Sequence, residues 1–165
     1  MSINNSTQAA FHTNTQANDQ AVFVWDGQSV TNFADGSGTF SYVGLPDIND
    51  FGQVVFDASL DPSPSRGIFT GPDPVRDAVI LPGQTIDGMR IIDLISYPQI
   101  NNRGQIAFVA RFLDNTEAVF LATPIPEPSG LALTIAAFFA SFICAITPSR
   151  IRTHSTRNST KRPRN

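Results

Sequence analysis

A tandem repeat constrains the fold of this chain more than any other feature of its sequence. The 11 residues Ile48–Ala58 recur as Ile100–Ala110, 52 positions later, with the shared pattern Ile-Asn-x-x-Gly-Gln-x-x-Phe-x-Ala. A divergent copy starts at Ile3 and has threonine at the position of the glycine. Related segments fold into related units that stack on one another. We therefore predict one repeat module over residues 1–123, with repeats that start near residues 3, 48 and 100.

Each repeat also contains a second phenylalanine, 12 or 13 residues after the first. The three pairs are Phe11 and Phe23, Phe56 and Phe69, and Phe108 and Phe120. Because these residues recur with the repeat, we assign them to core packing between strands. Trp25 and Tyr42 do not recur, so they are the better candidates for a surface that stacks on sugars.

The residues after each glycine alternate between apolar and polar. Val54, Phe56 and Ala58 would lie on one face, and Asp57 and Ser59 on the other, as expected of a half-buried strand. A turn and a second apolar run follow in each repeat, which predicts a β-hairpin.

Further strands are predicted over residues 28–33, 76–81 and 89–95. Four short strands in 45 to 52 residues match the length of a propeller blade. The predicted fold class is therefore mainly β, an antiparallel repeat module in the form of an open sheet or a partial propeller.

The polar positions of the repeat have a structural and a metal-binding interpretation. Residues 47–52 read Asp-Ile-Asn-Asp-Phe-Gly, an oxygen-rich pattern similar to calcium loops. The equivalent residues 99–104 lack both aspartates and contain an arginine. We therefore favour a turn in which Asn49 and Asn101 bond to their own backbone and Gly52 and Gly104 adopt positive φ. We expect no metal and no other cofactor.

The sequence offers little material for catalysis. His12 and His154 are far apart, and the single cysteine, Cys144, lies in an apolar segment. Four neighbouring aspartates could in principle supply a glycosidase carboxylate pair, but aspartates near turns usually form the turn. These four are Asp47, Asp50, Asp57 and Asp61. We therefore predict a protein without catalytic residues of its own.

The C-terminal part of the chain has the properties of a membrane anchor. Residues 130–146 contain no charged side chain. A helix over residues 129–147 would be about 28 Å long, close to the ~30 Å hydrocarbon core of a bilayer. We predict a transmembrane helix over residues 130–147. A buried core helix is the alternative, and the basic tail that follows argues against it.

Residues 148–165 form a tail with six basic residues and no acidic one, whereas all 14 acidic residues precede position 128. The basic residues are Arg150, Arg152, Arg157, Lys161, Arg162 and Arg164. Because basic segments remain on the cytoplasmic side of a membrane, we expect a disordered cytoplasmic tail and an N-terminal part outside. The acidic exterior argues against nucleic acid as a partner.

Residues 124–129, between the module and the apolar segment, are rich in proline. Pro126, Glu127, Pro128 and Ser129 lie immediately before the predicted helix. A Pro-Glu-Pro triplet, a short transmembrane helix and an arginine-rich C-terminus in this order resemble the PEP-CTERM sorting signal of bacterial envelope proteins. The resemblance implies that exosortase, a membrane-embedded cysteine protease-like enzyme, recognises these residues and cleaves near them. The alternative is a plain linker before a permanent anchor.

The repeats themselves resemble the tandem NxxGxxAFxxA-type repeats of bacterial surface proteins. Together the two resemblances imply a non-enzymatic protein of the cell envelope, with the membrane, exosortase and extracellular polysaccharide as its partners. The alternative is a fragment of an envelope-anchored glycan-binding protein or hydrolase whose active part lies upstream. PEP-CTERM proteins ordinarily begin with a secretion signal, which residues 1–5 do not resemble, so we hypothesise that a leader or further repeats precede Met1.

Overall fold

The computed structural model describes residues 1–15, 20–63, 65–95, 97–124 and 145–148. Within these residues the chain forms antiparallel β-strands and no helix. The prediction of a mainly β, antiparallel fold is confirmed. Instead of one continuous open sheet, the strands form three sheets that follow one another along the chain.

The first sheet contains four strands in the order β1-β2-β3-β4. They are β1 (Ser2–Ile3), β2 (Ala9–Asn14), β3 (Gln20–Trp25) and β4 (Val30–Asp35).

The second sheet contains five strands, in which β7 pairs with β8 on one edge and with both β5 and β6 on the other. They are β5 (Phe40–Val43), β6 (Asp47–Ile48), β7 (Val54–Leu60), β8 (Arg66–Phe69) and β9 (Ala78–Ile80).

The third sheet is organised around β13 in the same way, with β14 on one edge and both β11 and β12 on the other. Its strands are β10 (Thr85–Ile86), β11 (Met89–Leu94), β12 (Gln99–Ile100), β13 (Ile106–Phe112), β14 (Glu117–Thr123) and β15 (Ala145–Pro148).

Each sheet is built on the predicted hairpin. The two phenylalanines of each repeat face each other across the hairpin as Cα partners, in the pairs Phe11 and Phe23, Phe56 and Phe69, and Phe108 and Phe120. Their ring centroids are 5.7, 6.1 and 5.7 Å apart in the three repeats. Aromatic cross-strand pairs at this separation stabilise a hairpin and fix its register.

In the first and second sequence repeats, the last long strand pairs in the sheet of the next repeat. β5 pairs with β7 through Val43 and Ala58, and β11 pairs with β13 through Leu94 and Ala110. Each of these strands precedes the Asn-x-x-Gly segment of the next repeat in the chain. Neighbouring repeats are therefore joined by main-chain hydrogen bonds as well as by side-chain packing.

The three sheets pack face to face around two hydrophobic clusters. One lies between the first and second sheets and includes Val22, Phe56 and Phe69. The other lies between the second and third sheets and includes Ile68 and Phe108. The paired phenylalanines of the second and third repeats, Phe56 with Phe69 and Phe108 with Phe120, are buried, as predicted.

The prediction that β7 is half-buried is wrong. Asp57 is fully buried and Ser59 is 4 % exposed, although both lie on the face expected to meet solvent. The second sheet has a neighbour on each side, so both of its faces are covered. In β13, by contrast, buried and partly exposed residues alternate as predicted.

The predicted transmembrane helix lies for the most part outside the described residues. Its last residues, 145–147, belong to β15, which pairs antiparallel with β14. Residues 130–144 and the basic tail from residue 149 onward lie outside the described ranges. The residues that the structure does describe contain no helix with the length and apolar character needed to cross a bilayer.

Candidate functional site

The asparagine of the repeat organises a tight turn through its side chain. Asn49 Oδ1 accepts hydrogen bonds from the backbone N–H groups of Phe51 (3.1 Å) and Gln53 (3.0 Å). Asn49 Nδ2 donates to Gln53 Oε1 at 2.6 Å. Gly52 closes the turn with a φ of 77°. The predicted role of Asn49 and Gly52 as turn formers is confirmed.

The other two repeats form the same turn. Asn101 Oδ1 accepts from the N–H groups of Arg103 (2.9 Å) and Gln105 (3.0 Å), and Gly104 has a φ of 71°. In the divergent repeat Asn4 makes the equivalent bonds, but Thr7 occupies the glycine position with a φ of 59°. A β-branched residue is strained in this conformation, so the first turn keeps its geometry at an energetic cost.

The asparagines also connect one repeat to the next. Asn4 Nδ2 donates to the carbonyl of Asn49 at 2.8 Å, and Asn49 Nδ2 donates to the carbonyl of Asn101 at 3.0 Å. We call this series of three residues, Asn4, Asn49 and Asn101, the asparagine ladder. It fixes the spacing between successive repeats at the edge where β1, β6 and β12 come together.

The aspartates of the calcium-like segment take part in the same contacts. Asp50 accepts hydrogen bonds from the backbone and side chain of Asn5 and from Asn102 Nδ2, at 2.8, 3.0 and 2.7 Å. Asp47 accepts from Ser2 Oγ at 2.5 Å and from the Ile100 N–H at 2.8 Å. The hydrogen bonds that Asp50 accepts from Asn5 hold the pKa of Asp50 below its usual value, and the bond from the Asn5 backbone N–H has the largest effect.

These aspartates therefore bridge three repeats instead of converging on one point. Across the described ranges, no group of three or more His, Cys, Asp or Glu side chains has the arrangement of a metal site. Asp47 and Asp50, two of the four aspartates considered above as a source of a glycosidase pair, both accept hydrogen bonds from protein donors.

The second sheet contains a partly buried ion pair that the sequence pattern did not predict. Asp57 Oδ2 lies 3.3 Å from Arg66 Nη1, and the two side chains are 1 % and 29 % exposed. Asp57 Oδ1 is buried and has no hydrogen-bond partner among the described residues. Burial raises the pKa of Asp57, and the positive charge of Arg66 opposes that rise. A carboxylate in this setting is costly to bury, and its ion pair with Arg66 offsets part of that cost.

Beside this ion pair lies an open cavity of about 370 Å³ lined by Ser41, Tyr42, Ser59 and Arg66. Burial raises the pKa of the Tyr42 hydroxyl, and the negative charge of Asp57 contributes to the same shift. The lining combines hydroxyl groups, one aromatic ring and one guanidinium. Such a set of groups can hydrogen-bond and stack on a polar ligand.

The two proposed sugar-stacking residues lie in different places. Tyr42 is in the cavity on β5, whereas Trp25 is at the end of β3 in the first sheet and is 38 % exposed. The structure does not bring them together.

The sorting residues Pro126, Glu127, Pro128 and Ser129 lie outside the described residues. The topology-setting residues of the tail also lie outside them: Arg150, Arg152, Arg157, Lys161, Arg162 and Arg164. These predictions stay predictions.

Comparison with known proteins returned no match to a protein-family model, a curated protein or a solved structure.

Proposed function

We propose that this chain is a non-enzymatic protein of the bacterial cell envelope that carries a C-terminal signal for exosortase processing. The observation that carries the proposal is the order of three segments: the Pro-Glu-Pro triplet of residues 126–128, the uncharged residues 130–146 and the basic tail. In this proposal the tail is cytoplasmic and the β module lies outside, since basic flanks stay inside. The membrane and the processing enzyme are its partners.

The polar contacts of the module support a scaffolding role. The asparagine ladder, together with Asp47 and Asp50, uses its polar atoms to hold successive repeats in place. A module built in this way can display a surface at a fixed distance from the membrane without chemistry of its own. Extracellular polysaccharide is the class of partner that we expect for it.

Mass spectrometry of the mature C-terminus tests the sorting proposal. The full chain is produced in a host that contains exosortase, and wild type is compared with Glu127→Ala. We expect the wild type to lose the residues from about position 130 onward and the variant to retain them. Glu117→Ala is the matched control, because it removes the only other glutamate, which lies on β14. If wild type and Glu127→Ala both retain residues 130–165, permanent anchoring replaces processing.

A second candidate function, glycan binding, is favoured by the cavity of Ser41, Tyr42, Ser59 and Arg66. Aromatic rings and hydroxyl groups in one concave site are suited to sugars. Binding of the full chain to a glycan array tests it. Tyr42→Ala is expected to abolish the signal, while Trp25→Ala, in a different sheet, is expected to leave it unchanged. A signal that both variants retain would rule out the cavity as its source.

A further inference from the structure

The contact between neighbouring sheets uses the same sequence positions each time. Between the first and second sheets, the buried cluster contains Ala10 and Val22 from one side and Phe56 and Phe69 from the other. The phenylalanine pair of the second sheet therefore packs against the aliphatic face of the first sheet.

Between the second and third sheets the same positions meet again. Val55 and Ile68 occupy the places of Ala10 and Val22 in their repeat, and they share a buried cluster with Phe108 and Phe120. The aliphatic face of each sheet and the phenylalanine face of the next sheet thus form a repeated, complementary interface.

Within the described residues, the phenylalanine face of the first sheet has no sheet packed against it. Phe11 and Phe23 stack with centroids 5.7 Å apart and are only partly buried, whereas all four phenylalanines at the equivalent positions are at most 3 % exposed. Next to them, Trp25 is 38 % and Val30 is 58 % exposed. Solvent-exposed apolar surface of this kind marks a site of interaction.

The third sheet presents the complementary aliphatic face. Val119 occupies the position of Val22 and Ile68, which are fully buried, yet Val119 is 38 % exposed. Leu121 and Ala107 lie beside it and are partly buried. An exposed ion pair at 3.0 Å, Arg111 to Glu117, borders this face.

We propose that the aliphatic face of the third sheet binds the phenylalanine face of the first sheet in a second copy of this chain. The contact would repeat an interface that the molecule already makes twice. It would also extend the asparagine ladder, because Asn101 Nδ2 of one copy would meet the Asn4 carbonyl of the next, as Asn4 meets Asn49 and Asn49 meets Asn101. Two different surfaces are joined, so the association is head-to-tail and adds copies in one direction.

Analytical ultracentrifugation of the full chain in density-matched detergent tests the proposal. The wild type is expected to form dimers and larger species as its concentration rises from about 1 to 100 µM, the range in which a micromolar contact associates. Val119→Lys places a charge in the aliphatic face of the third sheet, and Phe23→Lys places one in the phenylalanine face of the first sheet. Each variant alone is expected to remain monomeric over this range.

Mixing the two variants gives the decisive measurement. Each retains the face that the other has lost, so an equimolar mixture is expected to form a one-to-one dimer and nothing larger. Val75→Lys is the matched control, since Val75 is 85 % exposed and lies between β8 and β9, and it is expected to associate as the wild type does.

Circular dichroism checks that each variant retains its β-structure, and Phe23→Ala replaces Phe23→Lys if that variant does not. A wild type that stays monomeric at all concentrations overturns the proposal. So does a mixture of variants that fails to dimerise, or association that Val119→Lys leaves intact.

Discussion

Asn49 holds both its own turn and the next repeat in place. Its side chain makes four hydrogen bonds, two of them to backbone N–H groups of its turn and one to the carbonyl of Asn101. Asn49 is also 3 % exposed, whereas Asn101 is exposed to solvent. Asn49 and Asn101 occupy the same repeat position but therefore contribute differently to the free energy of unfolding.

We expect Asn49→Ala to lower the free energy of unfolding by about 2 to 4 kcal/mol, from four hydrogen bonds of roughly 1 kcal/mol each. Asn101→Ala is expected to cost less than half as much, because water can replace the lost bonds at that exposed site. Urea denaturation measures both values. Equal losses would mean that neither the burial of Asn49 nor its hydrogen bond to Asn101 adds to stability.

Thr7 offers a test of the opposite sign. Its φ of 59° is the conformation that Gly52 and Gly104 adopt in the other repeats. We expect Thr7→Gly to raise the free energy of unfolding by about 1 kcal/mol, by relief of backbone strain. Thr7→Ala is the control, because alanine retains a Cβ at positive φ and is expected to gain less. Thermal denaturation of the two variants decides between strain relief and loss of the hydroxyl group.

Among the elements, β7 and β13 differ mainly in how many faces are covered. Both strands are paired on both edges. Every residue of β7 from Val54 to Ser59 is buried, whereas β13 alternates between buried and partly exposed residues. Local stability follows burial when the hydrogen bonding is matched.

We therefore expect the amides of β7 to exchange with solvent deuterium more slowly than those of β13, by about tenfold for each 1.4 kcal/mol of added local stability. Hydrogen exchange followed by mass spectrometry resolves the two strands. Equal protection of the two strands, or faster exchange in β7, would contradict the assignment of the second sheet as the centre of the stack.

Local sequence pattern predicted the hairpins, the phenylalanine core and the asparagine turns, because neighbours along the chain determine each of them. It did not predict the burial of Asp57, since that depends on a sheet from another repeat. The ion pair with Arg66 had one available signal: Ser59 pairs with Arg66 in the hairpin, so Asp57 lies diagonally opposite an arginine. Contacts between repeats, such as Asn49 to Asn101, have no local signature.

For the whole molecule, two kinds of aspartate make opposite contributions to the pH dependence of stability. One kind accepts hydrogen bonds near the surface, and the other is buried. Hydrogen bonds, mostly from turn residues, lower the pKa of five aspartates, while burial raises that of Asp57. The five are Asp26, Asp35, Asp50, Asp73 and Asp114. Their stabilising contribution is fully present above the unfolded pKa of 3.8 and is lost as the pH falls through their folded values.

Asp57 acts in the opposite direction. Its contribution is fully present below pH 3.8 and is lost as the pH rises through its higher folded pKa. We expect Asp57→Asn to gain stability relative to wild type as the pH rises from 3.8 through that folded pKa. For Asp50→Asn, the loss relative to wild type is expected above pH 3.8 and is expected to shrink as the pH falls below it. Denaturation curves across the acidic range measure how both differences change with pH, and a change in the same direction for both variants would refute this account.

The passage of β5 and β11 into the following sheet has a consequence for how such a gene can change in length. The second repeat receives a strand from the first repeat and gives one to the third. Recombination between equivalent positions of two repeats inserts or removes one repeat length. Every internal sheet remains complete, whichever equivalent positions are used. Lengthening the array therefore requires no new interface, and selection can adjust the reach of the module by copy number alone.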